Sequence, residues 1–290
     1  MATDTPATDI VLYDIAFRQP FSASSSAPNP WKARYALNFK GIPYRTEWVD
    51  MLEIPDVRRR LEVPAARKHR DGSDYYTLPV LVDNTTGTKV GDSFDIAVYL
   101  SETYPDTGEA GDLFPVQSLD FACSSELAIF APPLSERAEG VDKGVIRDYA
   151  HFNRNVDAVF SAHSALMGSG MQFDPARAPL IRAEFERRAG MRWEDMMVHA
   201  GPREKILASL CEALAPLAEL FQRDHSGPFL LGRRASHADF IVGGWLRMQS
   251  VTLPDEEWAQ VKSWHGGVFA KLHDALQKLS EGVIRASSNR

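Results

Sequence analysis

Apolar residues recur along this chain with two different periods. Short dense runs of strand type lie at Ile10–Ile15, Leu78–Val82 and Thr88–Val90, and residues 42–50 read as a further strand. Elsewhere the spacing is helical. Trp31, Tyr35 and Leu37 or Phe39 fall on one face of a helix over Pro30–Lys40, which Asn29 can cap and Gly41 follows. Lys32 and Lys40 are then expected on the wet face. A short helix is expected around Val57–Leu61. Ile96, Ala97, Leu100 and Tyr104 share a face of a helix that Gly91-Asp92-Ser93 opens and Pro105 ends. From residue 117 onward helical patterns dominate: Leu119–Ile129, Val145–Ala162, Ala178–Met197, Glu204–Arg223, a helix after Ser236, and residues 255–281. Pro132-Pro133 and Gly168–Gly170 break them.

Strand, helix, strand implies a parallel pair joined by a crossover. Two strands around the turn Asp83–Gly87 add an antiparallel pair. The order β-α-β, β-β-α is that of a thioredoxin-like domain. The fold class expected is therefore α/β plus all-α: a thioredoxin-like domain over residues 9–105, a linker over 106–116 and an all-helical domain over 117–285. Composition agrees with a soluble globular chain of that size, being 44% hydrophobic and 24% charged over 290 residues. A net charge of −7 disfavours nucleic acid or an anionic membrane as partner. No apolar run reaches the roughly 18–20 residues of a membrane span. The first ten residues do not read as a signal peptide, so a cytoplasmic protein is expected. Cys123 and Cys211 match no metal-binding spacing, and buried free thiols are expected.

Several residues carry candidate chemistry. Pro79 stands in a strand, where it removes a ladder donor; a cis Leu78–Pro79 bond would turn the Leu78 main chain toward a ligand. Asp92-Ser93 at a helix start suits either a cap or a bound carboxylate. Lys68, His69 and Arg70 form a positive cluster, read as a solvated loop or as a cation for a carboxylate. Ser236 and Asp239 have capping-box spacing, with a structural role for Asp239, and His237 needs no catalytic role. Asn155, Phe152 and Phe160 suit a core, or a substrate pocket.

Thr77-Leu78-Pro79-Val80-Leu81 followed by Asp92-Ser93 and an amphipathic helix resembles the glutathione-binding half of a cytosolic glutathione transferase. The resemblance extends over roughly residues 9–280, and the Ser236–Asp239 segment resembles the buried capping-box helix of that family's helical domain. Pro28, Trp31, Lys32 and Arg34 look most similar to a pattern of fungal etherase-like transferases, relatives of bacterial β-etherases. The resemblance implies glutathione as cosubstrate. It implies that Leu78, before the cis proline Pro79, pairs with the cysteinyl part of glutathione, that Ser93 takes the γ-glutamyl carboxylate and that Asp92 faces the ammonium. Lys68 would meet the glycyl carboxylate. A homodimer is also implied.

One departure affects the chemistry. The position of the family's thiol-activating serine or cysteine falls on Ala27, which has no side-chain donor. Ser26 after a loop shift, Asn29 through its amide, or backbone N–H groups alone remain open as the group that stabilises the thiolate. The absence of cysteine at 24–29 argues against thiol reductase chemistry. The expected activity is attack of glutathione thiolate on a hydrophobic electrophilic small molecule, by conjugation, ether cleavage or addition–elimination, in a setting such as fungal secondary metabolism. A glutathione-dependent double-bond isomerase and a non-catalytic glutathione or hydrophobic-ligand carrier are the alternatives. No metal is expected.

Overall fold

The computed structural model describes residues 8–69, 72–105, 107, 111–122, 144–197 and 200–287. Expectations for Arg70, Cys123, Pro132-Pro133 and most of the helix at Leu119–Ile129 lie outside them; residues 119–122 are irregular. The N-terminal elements are β1 (Ile10–Ala16), α1 (Phe21–Ser24), α2 (Pro28–Phe39), β2 (Arg45–Asp50), α3 (Ile54–Arg60), β3 (Arg67–Lys68), β4 (Asp74–Tyr75), β5 (Val80–Asp83), β6 (Thr88–Val90) and α4 (Ser93–Thr103). Four strands form one sheet in the order β2-β1-β5-β6. The β1–β2 pair is parallel, with Leu12 opposite Thr46, and α2 makes the crossover; β5 runs antiparallel to β1, with Leu12 opposite Leu81. This is the thioredoxin-like half. The tiny β3–β4 hairpin flanks the loop that carries the Lys68–His69 cluster, closed by the His69 N–H on the Ser73 carbonyl at 2.8 Å.

The rest is helical: α5 (Val145–Ala162), α6 (Ala165–Gly168), α7 (Ala178–Ala189), α8 (Trp193–Met196), α9 (Ala200–Phe221), α10 (His237–Thr252), α11 (Asp255–Ser263) and α12 (Val268–Ser287). The single helix expected at 178–197 is interrupted because Gly190 adopts a left-handed φ of 69°, which ends α7. The last expected helix is likewise divided, at His265–Gly267, where all three residues have positive φ.

The main core spans both halves. It unites Trp31, Tyr35 and Leu37 of α2 with Phe240, Ile241 and Leu246 of α10 and with Phe152 and Phe160 of α5. Phe152 and Phe160 are thus core residues, and Asn155 spends its amide on the Phe121 carbonyl at 2.7 Å. A smaller cluster, with Val11, Val49, Val57 and Leu78, fills the other face of the sheet under α3. The expectation that Lys32 and Lys40 are wet is overturned: they are 0% and 1% exposed. Lys32 Nζ meets Asp157 Oδ1 at 2.5 Å and Asn153 Oδ1 at 2.9 Å, while Lys40 Nζ donates to the Pro105 carbonyl at 2.9 Å. Long apolar stems let both side chains cross the core to reach those partners.

Candidate functional site

The chain leaving β1 passes through Phe17 and α1, then Ser25-Ser26-Ala27, before α2 begins at Pro28. The loop is tightly held. Asp14 is fully buried and pairs with Arg34, whose Nε donates to Asp14 Oδ2 at 2.9 Å. The Arg34 guanidinium lies 4.9 Å from the Trp48 ring centre. The Trp31 indole donates to the Ser25 carbonyl at 2.8 Å, and Arg247 of α10 reaches the Ser22, Ala23 and Ser25 carbonyls. Trp31 and Arg34 of the sequence pattern therefore hold the loop, while Lys32 anchors α2 to Asn153 and Asp157.

The loop ends on a cavity of about 220 Å³. Ser26, Ala27, Pro28, Asn29 and Pro30 form one side, with Thr77 and Leu78 beside them. Phe17, Met51, Met171, Phe185 and Met248 give the apolar part; Arg67, Tyr75, Tyr76 and Arg188 complete the polar edge. The Ser26 hydroxyl and the Asn29 amide oxygen are buried without a hydrogen-bond partner. Orphaned buried groups of this kind cost about 1–3 kcal/mol, which a ligand can repay. Ala27 is the N-cap of α2 and offers no side-chain bond. Donors from the first turn are few: Pro28 and Pro30 have no N–H, and the Trp31 N–H is turned to the Ala27 carbonyl at 3.4 Å. Asn29 has the remaining main-chain donor of α2's first three positions.

The Leu78–Pro79 bond is cis, and Leu78 lies two residues before Val80, the first paired residue of β5. Asp92, not Ser93, caps α4: its Oδ1 accepts the Phe94 N–H at 2.9 Å. The Ser93 side chain is thereby released from capping, though the residue is only 3% exposed. Asp92, Ser93 and Pro79 do not line the cavity. Arg58, which no pattern in the chain singles out, ties them to it. This buried guanidinium donates to the Thr77 carbonyl at 2.6 Å and the Gly91 carbonyl at 2.9 Å, and also bonds the Pro64 carbonyl. Burial pushes its pKa down to about 10, against the attraction of Asp92. A side chain at Gly91 would place Cβ 2.3 Å from the guanidinium, so the approach requires glycine.

Lys68 is exposed and bonded to Asp74; its neighbour Arg67 lines the cavity instead. Charge alone could not distinguish the two. Arg188, Met171 and Met248 were also missed, because single residues far apart in sequence carry no spacing signal. Among the described residues no group of three metal-ligating side chains occurs, and no helix is long and apolar enough to cross a membrane.

Comparison with known proteins gives a consistent result. Residues 27–103 match the family described as "Glutathione S-transferase, N-terminal domain" and residues 149–279 match "Glutathione S-transferase, C-terminal domain". The chain is 28% identical to a "Glutathione S-transferase-like protein ustS" of Aspergillus flavus, over 97% of this chain and 94% of that one. Among solved structures it is similar to glutathione transferase GSTFuA3 of Phanerochaete chrysosporium, with a TM-score of 0.72 and 29% identity, covering 93% of this chain and 97% of that one. It is equally similar in fold to the transferase CsGST63524 of Ceriporiopsis subvermispora, solved in complex with glutathione: TM-score 0.72, 28% identity, 93% and 97% coverage.

Proposed function

The chain belongs to the glutathione S-transferase superfamily, and on that footing we propose that it directs the thiolate of glutathione onto a hydrophobic electrophile held in the cavity beneath Ser26. Glutathione is its cosubstrate. The tripeptide lies along Leu78 with its γ-glutamyl end at Asp92-Ser93 and its sulfur toward the start of α2. One observation carries this reading: the Ser26 hydroxyl, which can donate, and the Asn29 amide oxygen are buried and unpartnered, in residues that line the same cavity as Leu78. Ser26 is the thiol's donor. The two prolines of α2's first turn support a side-chain donor over main-chain N–H groups alone. Arg67 takes the role expected of Lys68, at the glycyl carboxylate.

Ala27 favours a reaction needing modest thiol activation, in which sulfur adds to a polarised carbon and a group leaves. Double-bond isomerisation fits best, since the thiolate that adds is itself the group that leaves and the step draws mainly on positioning; in ether cleavage the thiolate displaces an aryloxide, which leaves with a proton. The protein acts as a cytoplasmic homodimer in this reading.

The test combines calorimetry with turnover of a chlorodinitrobenzene and of a β-aryl ether. Wild-type protein binds glutathione and consumes at least one of the two. Ser26→Ala keeps glutathione affinity within about threefold and lowers kcat by about ten- to a hundredfold, the span of a single well-placed hydrogen-bonding group. Undiminished turnover moves the role to Asn29, which Asn29→Ala then decides. Glutathione binding with neither acceptor consumed supports the carrier or a specialised isomerase. Absence of glutathione binding sinks the reading.

A further inference from the structure

The cavity is electrically lopsided. Among the described residues two arginines line it and no aspartate or glutamate does, although the chain carries a net charge of −7 and Glu184 bonds one of the two, Arg188, from outside the lining. The two come from different halves of the molecule. Arg67 lies on β3, beside the strand approach that holds Thr77 and Leu78; its side chain has no ion pair or hydrogen bond among the described residues. Arg67 thus shares a cavity wall with Thr77 and Leu78, the main chain assigned to glutathione.

Arg188 is on α7 of the helical half. It stands one turn after Phe185, so the two side chains leave the helix on one face. Its Nε donates to Glu184 at 2.7 Å, and its guanidinium is stacked 5.2 Å from the Tyr75 ring centre. Those contacts fix the plane of the fork. Its outer N–H groups have no partner among the described residues. A planar fork held this way suits a carboxylate, which can accept two parallel bonds. Around it the wall is polarizable and apolar: Phe17, Met51, Met171, Phe185 and Met248. Methionine sulfur against ring edges favours an aromatic or conjugated body.

We infer that the electrophilic substrate carries a carboxylate on an aromatic or conjugated body, and that Arg188 receives it. The inference rests on glutathione occupying the Leu78 side of the same cavity. The two cations then serve different ligands, Arg67 the peptide's glycyl end and Arg188 the acceptor.

Product mimics test this without turnover. Glutathione, S-(4-carboxybenzyl)glutathione and S-(4-carbamoylbenzyl)glutathione are titrated calorimetrically into wild type, Arg188→Gln, Arg188→Lys and Arg67→Gln. The mimics differ only at the acceptor's charged tip. Wild type is expected to prefer the carboxylate by about tenfold or more. Arg188→Gln removes that preference and leaves glutathione affinity unchanged, Arg188→Lys retains part of it, and Arg67→Gln weakens all three ligands alike. A wild type that does not discriminate, a preference that survives Arg188→Gln, or one lost only in Arg67→Gln overturns the assignment. Failure of plain glutathione to bind wild type would instead remove the premise, and is read in the same titration.

Discussion

His237 is fully buried among the rings of Phe94, Phe114 and Phe240, and neither ring nitrogen has a partner. Only its main chain is bonded, to the Leu113 carbonyl at 2.8 Å. Desolvation, helped by the Lys32 charge, pushes its pKa from 6.5 down to about 3. A folded pKa below the unfolded one means that unfolding takes up a proton between those values. The contribution to stability is complete above pH 6.5 and shrinks as pH falls. Asp239 has the opposite sign: burial raises its pKa from 3.8 to about 6 despite its hydrogen bonds. Its contribution is complete below the unfolded value and shrinks as pH rises through 6. The contributions of these two groups offset one another between about pH 4 and 6. His237→Phe unmasks the difference. Between pH 7 and pH 5 the stability of the variant relative to wild type should rise by on the order of 2 kcal/mol, taking 1.36 kcal/mol per unit. Urea unfolding at the two pH values measures it; parallel profiles would mean that His237 is hydrated or bonded in the folded state.

At the scale of the element, the start of α10 shows what one carboxylate can organise. Asp239 accepts the Ser236 N–H at 2.7 Å, the Ser236 hydroxyl at 2.9 Å and the Leu230 N–H at 2.8 Å, completing the capping box foreseen from spacing. The Leu230 bond adds a loop from outside the helix to the cap. Asp239→Ala strips all three buried donors and should cost about 2 kcal/mol or more, above a simple cap. Thermal unfolding checks this, and glutathione affinity of the folded fraction should stay unchanged. Such elements were legible because their signals are local: β6 and α5 begin and end where the residue pattern places them. The β3–β4 hairpin was not, since two-residue strands of charged and aromatic side chains have no period. Ser26, Asn29 and Leu78, singled out through the family resemblance, do line the cavity. Arg58, Arg67 and Arg188 could not be singled out, because an arginine's meaning depends on the carbonyls, rings and ligands that the fold brings to it. Lys32 was misread for that reason: the carboxylate that admits it to the core lies at Asp157.

The same ion pair joins the two halves of the molecule at the site helix. Lys32 is one turn into α2, and Asp157 on α5 accepts both its ammonium and the Trp245 indole N–H of α10, at 2.5 and 2.6 Å. The side chains of Lys32 and Asp157 are 1% and 6% exposed. Beside them α10 comes so close to the first turn of α2 that a Cβ at Gly244 would sit 2.5 Å from the Pro28 carbonyl. The placement of Ser26 and Asn29 therefore depends on helical-domain residues that do not line the cavity. A buried pair of this kind contributes little over an apolar replacement, but removal of one partner strands the other. Lys32→Met should destabilise by about 3–5 kcal/mol. Asp157→Asn in the Lys32→Met background removes the stranded charge while keeping an acceptor for Trp245, so the double variant should recover a large part of that loss. Urea unfolding of wild type, both single variants and the double variant gives the coupling directly. Additive losses would mean that water, not the pair, carries the charge between the domains. Strong coupling, with glutathione affinity falling in Lys32→Met and returning in the double variant, would show that the junction sets the geometry of α2's first turn.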